Sequence, residues 1–277
     1  MQATVVEQFI MSKTGTMGDC EDSIYIGPHF IAVIDGSTSM APRRWNGQTG
    51  GRVCAHIISQ VFAQLPFDAT ARQAVDAMTS TVQNFYQHSD TLAIMEADPV
   101  QRIAASVIAL GLWRQEIWSI GDCQCLIDAE WFPHDKLVDH IISAARALFL
   151  QSEILQGVTT AELCQNDSGR KFILPLLERQ SFFQNNPNAG KYWYAVIDGF
   201  PVPDEGIMVR EIPPETRSIV LATDGYPILK ERLEESENAL HSILLEDPLL
   251  IGEYKSTKGM RTGNVSFDDR AFVKVRL

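Results

Sequence analysis

Apolar runs in this chain break off on acids. FIAVIDGS, Phe30 to Ser37, passes from apolar residues straight into Asp35-Gly36. SIVLATDG, Ser218 to Gly225, ends on Asp224-Gly225, and SFDDRAFVKVRL opens its run on Asp268-Asp269. An ionised carboxylate in an apolar interior is very costly unless it is paired or bound to a cation. In the first two runs the following glycine lets the chain turn sharply and brings a backbone carbonyl close to any bound ion. Three such ends, if they meet, would make an oxygen-ligand site for a hard cation such as Mg²⁺ or Mn²⁺. Asp-Gly is also among the commonest turn dipeptides. YAVIDGFP, Tyr194 to Pro201, has the same look, so spacing alone does not rank Asp198 below Asp35.

The remaining pattern is mixed sheet and helix. TVVEQFI at 4–10, SIYIG and FIAVID read as strands, the last two forming a hairpin across Gly27-Pro28. GGRVCAHIISQVFAQL and the segment from Ala69 to Gln87 carry apolar residues at helical spacing, which predicts two helices separated by Pro66. RIAASVIALGLW and EIWSIGDCQCLID read as adjacent antiparallel strands joined by WRQE. The stretch from Asp135 to Gln156 is a long amphipathic helix, with a looser region after it to about Gly190. KYWYAVIDG, GIMVREI and SIVLATDG read as three further strands, a helix covers about Ile228 to Leu245, and AFVKVRL is a terminal strand. Helices in blocks between antiparallel strands predict an α+β fold of two packed sheets with helices outside, not the regular alternation of a parallel α/β sheet. No repeat, low-complexity tract or linker divides residues 1–277, which read as one domain.

Composition narrows the function. With 45% hydrophobic residues, a chain of 277 buries a sizeable core without staples. A formal charge of -12 repels nucleic acid and anionic membrane surfaces, so neither is an expected partner. The cysteines (Cys20, Cys54, Cys123, Cys125, Cys164) are odd in number and lack a CxxC pair, against a disulfide framework or thiolate zinc site. The start, MQATVVEQFIMSKTG, lacks the basic opening and long apolar core of a signal peptide, and a cytoplasmic protein is expected. Oligomeric state is not legible.

Taken in order, EDS (Glu21 to Ser23), FIAVIDGS, GGR (Gly50 to Arg52), IWSIGDCQCLI, IVLATDG and FDDRAFVKV resemble the motifs of the PPM family, the type 2C metal-dependent protein Ser/Thr phosphatases. The resemblance implies a four-layer αββα sandwich with a binuclear Mn²⁺ or Mg²⁺ centre, two ions per chain, at one end. It implies that Asp35 bridges both ions, that the Gly36 carbonyl binds one, and that Asp224 and Asp268 hold the other. Glu21 and Asp22 would touch the metals directly or through water, Asp269 would support the site, and Asp122 would serve a third, weaker metal. Asp35, Asp224 and Asp268 are then the catalytic acids, and Asp198 matches no ligand position. Two cations roughly 4 Å apart can activate a bridging water for in-line attack on a phosphomonoester, without a phosphoenzyme.

The match has departures. Ser37 stands where many eukaryotic members have a His, and Met17 where a phosphate-binding Arg is usual; Lys13, Arg43 or Arg44 are the alternatives for the phosphate. Ile228 replaces the acid usual four residues after the aspartate of LATDG, which makes the third metal site weak or absent. Cys123 and Gln124 stand in the turn where the family has Ser and Arg. The expected function is a metal-dependent phosphatase acting on phosphoserine or phosphothreonine in proteins. The rivals are a small-molecule phosphomonoesterase on the same metals, a catalytically silent binding module, and a domain whose acid motifs are only turns.

Overall fold

The computed structural model describes residues 3–133 and 136–277. Among them ten strands form two sheets of five. They are β1 (Thr4–Met11), β2 (Ser23–Ile26), β3 (Phe30–Gly36), β4 (Ala105–Gly111), β5 (Glu116–Ile120), β6 (Gln124–Ile127), β7 (Glu130–Phe132), β8 (Met208–Glu211), β9 (Ser218–Ala222) and β10 (Arg270–Arg276). One sheet runs β1-β10-β9-β6-β7 and the other β2-β3-β4-β5-β8, every neighbouring pair antiparallel. The helices are α1 (Gly50–Phe62), α2 (Ala71–His88), α3 (Leu92–Ala97), α4 (Leu137–Leu155), α5 (Thr160–Gln165), α6 (Ser168–Gln180) and α7 (Leu233–Glu246).

Period-two alternation explains the layers. On β3, Phe30, Ala32 and Ile34 enter a core shared with α1 and α2, whereas Ile31 and Val33 enter the core between the sheets. On β9, Ile219 and Leu221 face the other sheet, and Val220 and Ala222 face the core under α7. Strands covered on both faces lose the polar half of the alternation, which is why FIAVI and IVLA read as unbroken apolar runs. The order helix, sheet, sheet, helix is the expected αββα sandwich. Cys123 and Cys125 both lie in the inter-sheet core, reduced and buried.

Several elements differ from the sequence reading. EIWSIGDCQCLID is two strands in different sheets: the chain crosses between them at Gly121, whose φ of 92° and approach to Ser106 exclude a side chain. KYWYAVIDG is not a strand. It makes only isolated bridges, Ile197 with Ala105 and Tyr194 with Gln184, because β5 already occupies the edge of β4 beyond its first residues. The helix expected from Ile228 begins at Leu233, and Ile228 packs instead against the apolar cluster under α7. α4 covers the expected long helix from Leu137, Asp135 lying outside the described residues. β7 and α6 were not anticipated. Among the described residues no helix is long and apolar enough to cross a membrane.

One buried cation ties the outer helices to the site. Arg146 of α4 is fully buried, pairs with Asp167 at 2.7 Å, and donates to the carbonyls of Leu249 (2.8 Å) and Ser256 (3.1 Å). It thereby holds α6 and the loop that leads to Lys258. Removing one partner of a buried pair costs about 3–5 kcal/mol. Arg146→Met should lose that much stability in urea unfolding, and a loss under about 1 kcal/mol, the level of a surface pair, would refute this role.

Candidate metal centre

Antiparallel pairing sets the end of one strand beside the start of the next, and here that geometry gathers acids. Asp35 closes β3 opposite Ser106 of β4, and Met11 at the end of β1 pairs with Arg270 at the start of β10. Glu21-Asp22 precede β2, Asp122 lies between β5 and β6, Thr223-Asp224 follow β9, and Asp268-Asp269 precede β10. A cavity of about 170 Å³ at this end of the sandwich is lined by Asp22, Asp35, Gly36, Asp122, Asp224 and Asp268, among others. Sequence reasoning selected all of these, and the fold brings them together.

Hydrogen bonds hold the loops in register. Asp269 accepts from the backbone amides of Lys13 (2.7 Å) and Glu21 (2.9 Å), tying the segment after β1 and the one before β2 to the start of β10. Thr223 Oγ1 donates to Asp22 (2.9 Å) and accepts from the Ala271 amide (2.9 Å). Arg52 of α1 donates to the carbonyls of Met17 (3.0 Å) and Cys20 (2.9 Å), fixing the Glu21-Asp22 turn. Gln124 donates to the carbonyls of Thr223 (3.0 Å) and Tyr226 (2.8 Å), bracketing Asp224. Gly36 has no room for a side chain, because a Cβ there would strike the Glu21 carbonyl and lie 2.5 Å from that of Gly51.

The charges repel one another. Burial, then Asp269 and Asp268, push Asp22 well above the usual carboxylate range; burial, then Asp224 and Asp22, do the same to Asp35. Asp224 is pushed up to about 7 by desolvation, then by Asp268 and Asp122, although its side chain opens to solvent. Three ammonium groups counter this field. Lys13 lies 3.3 Å from Glu21, 3.4 Å from Asp269 and 3.8 Å from Asp268. Lys258 pairs with Asp268, and Lys136 with Asp122 at 2.6 Å. Burial alone would raise Asp122, but Lys136 and the hydrogen bonds on it hold the carboxyl below its ordinary value.

The donor set fits a hard cation in kind, since every candidate ligand is a carboxylate or carbonyl oxygen. One atom points the same way: Glu21 Oε1 is buried without a hydrogen-bond partner, while Oε2 takes both Thr38 (2.6 Å) and Lys13. Against it, among the described residues no three His, Cys, Asp or Glu side chains stand close enough to chelate one ion. The acids face one cleft with lysine ammonium groups among them.

The cations expected at the phosphate behave differently. Lys13 is committed to the acids. Arg43, over the Trp45 ring, and Arg44, on the surface, do not line the cavity, whereas Lys136, Arg170 and Lys258 do. These three lie in segments with no local motif, and only tertiary packing brings them in. Met17 is 46% exposed and outside the cavity, and Ser37 lines it. Asp198 proves to be more than a turn: fully buried, it pairs with Arg102 at 3.1 Å and accepts from Asn185 (3.0 Å) and the Phe200 amide (3.0 Å). Its oxygens are satisfied, which separates it from Glu21.

No protein-family model matches the chain, and no curated protein matches it. Among solved structures, the serine/threonine phosphatase PstP/Ppp of Mycobacterium tuberculosis superposes with a TM-score of 0.50 at 18% identity, over 99% of each chain. The catalytic domain of PstP in complex with two manganese ions gives 0.49 at 18% identity, over 99% of each chain. The phosphatase Stp1 of Staphylococcus aureus gives 0.49 at 10% identity, over 100% of this chain and 94% of that one. The fold is therefore that of the PPM-type serine/threonine phosphatases, as the motif order implied.

Asp224 supplies a pH test of this electrostatic picture. Its folded pKa is raised, so the folded state keeps a proton that the unfolded chain releases near 3.8, and this group's contribution to stability falls as pH rises to about 7. In chelator-treated protein, Asp224→Asn should flatten the decline of the thermal midpoint across that window. A mutant whose midpoint declines in parallel with the wild type would contradict it.

Proposed function

We propose that this chain is a divergent PPM phosphatase, a single catalytic domain working in the cytoplasm, that hydrolyses phosphoserine or phosphothreonine in protein substrates with Mn²⁺ or Mg²⁺. The observation that carries the reading is the convergence of Asp22, Asp35, Asp122, Asp224 and Asp268 on one cleft, with the buried, unpartnered Glu21 Oε1 on the residue next to Asp22. Two ions would be held by Asp35, the Gly36 carbonyl, Asp224 and Asp268, with Glu21 and Asp22 alongside. Bound there, the cations would supply an activated water and neutralise phosphoryl oxygens.

The chain's own groups do the rest. Asp269 fixes three segments by accepting backbone amides, so the acids keep their spacing when a cation displaces an ammonium. Lys258 and Arg170 line the cavity where an anionic phosphoryl group must enter, and Arg170 pins the Lys258 loop through the Thr257 carbonyl at 2.9 Å. Ser37 lies at the cavity wall, and its hydroxyl is too weak an acid to protonate the leaving alkoxide, so that proton would come from water. The silent-module reading has one observation in its favour, the lysines already paired with Glu21, Asp122 and Asp268.

The deciding experiment is hydrolysis of a phosphothreonine peptide and of a small aryl phosphate, with Mn²⁺, Mg²⁺ or chelator, beside Asp224→Asn. Loss of even an outer partner of a metal ligand costs about 10–100-fold. Asp224→Asn should therefore lower metal-dependent turnover by more than ~100-fold, and Asp269→Asn by about 10–100-fold. Turnover of the aryl phosphate alone would favour the small-molecule reading. No turnover in protein that still binds Mn²⁺ would establish the silent module. A Mn²⁺ thermal shift of wild-type size in Asp35→Asn would sink the ligand assignment.

A further inference from the structure

Asp122 is the acid that the resemblance gives to a third metal, and here it is not free to take one. Its Oδ2 lies 2.6 Å from Lys136 Nζ, and its Oδ1 accepts from Ser106 Oγ at 2.5 Å. Lys136 is held from other sides too. Its backbone opens α4 at the N-cap position, its side chain is only 10% exposed, and its ammonium sits 4.9 Å from the centroid of the Tyr194 ring. Ile228, which stands where an acid is usual, packs into the apolar cluster under α7, so Asp122 and water are the donors left to an ion there once Lys136 is removed. The residues present therefore do not fit a third ion.

We propose that the Lys136 ammonium takes the place of a third cation beside Asp122, giving this chain a fixed positive charge in the cleft. The proposal rests on the phosphatase reading for its metal complement and deepens it. Lys136 lines the same cavity as Asp35, Asp224 and Ser37. An ammonium carries three donors, and only one is spent on Asp122, so Nζ can also donate to a phosphoryl oxygen entering the cleft. Unlike a weakly bound ion, a covalently attached charge does not depend on free metal concentration. No bond is made or broken by the lysine.

The test counts metal. The full-length protein is dialysed to equilibrium against Mn²⁺ alone, and bound manganese per chain is measured in wild type, Lys136→Met, Lys136→Arg, Asp122→Asn and Asp35→Asn. Two ions are expected in wild type, Lys136→Arg and Asp122→Asn, and a third in Lys136→Met, where Asp122 is released. A third ion in wild type that Asp122→Asn loses would overturn the proposal without touching the phosphatase reading, and so would a folded Lys136→Met that still binds two. Wild type that binds no Mn²⁺, or binds as much as Asp35→Asn, would overturn the phosphatase reading and the proposal together. The Asp122→Asn arm decides the matter even if Lys136→Met fails to fold.

Discussion

Like charges crowded at the end of an apolar sandwich are the constraint around which this molecule is organised. Carboxylates on five chain segments, each at or beside a strand end, share one cavity, and burial raises the cost of every charge there. Such an arrangement persists only if cations offset it. In the protein itself that work falls to Lys13, Lys136 and Lys258, which reach in from the end of β1, the start of α4 and the loop before β10. The helices and loops outside the sandwich are in this sense part of the electrostatics: Arg146 and Arg170 hold the Lys258 loop against α4 and α6.

The acids are kept in place by hydrogen bonds from neutral donors more than by one another. Asp269 accepts two backbone amides, Thr223 bridges Asp22 to β10, and Gln124 clamps the turn on both sides of Asp224. Gln124 explains a departure in the motif train. At a turn where a charged Arg is usual, an amide supplies two donors to carbonyls and accepts from Trp131 Nε1 at 2.8 Å, so the position is spent on rigidity. The replaced acid at Ile228 is likewise absorbed by packing.

Legibility followed how local each signal was. FIAVIDG and IVLATDG were readable because a strand buried on both faces needs an unbroken apolar run, and the acid marks where the run leaves the core. α1 and α2 were readable from helical spacing, and α2 has a capping box at Thr70 and Gln73 that fixes its start. The misread elements depended on neighbours. KYWYAVIDG has strand composition but finds no free sheet edge. Nothing in SIGDCQC says that the chain changes sheets at Gly121. Asp198 and Asp35 share a local sequence and differ only in what surrounds them: Arg102 and Asn185 for one, other carboxylates for the other.

By itself, then, the sequence determined that FIAVID and SIVLA are buried strands, where each ends, and that those ends carry hard oxygen donors, because these properties depend on a residue and its near neighbours along the chain. The order of the motifs along the chain also carried the sandwich. Only the tertiary structure decided which acids meet, which are satisfied, and which cations stand among them. Lys136 and Arg170 enter the cavity from the start of α4 and from α6, distant in sequence from every strand-end acid except Asp122 and marked by no motif. A charge's partner is set by distance through space, and no spacing along the chain encodes it.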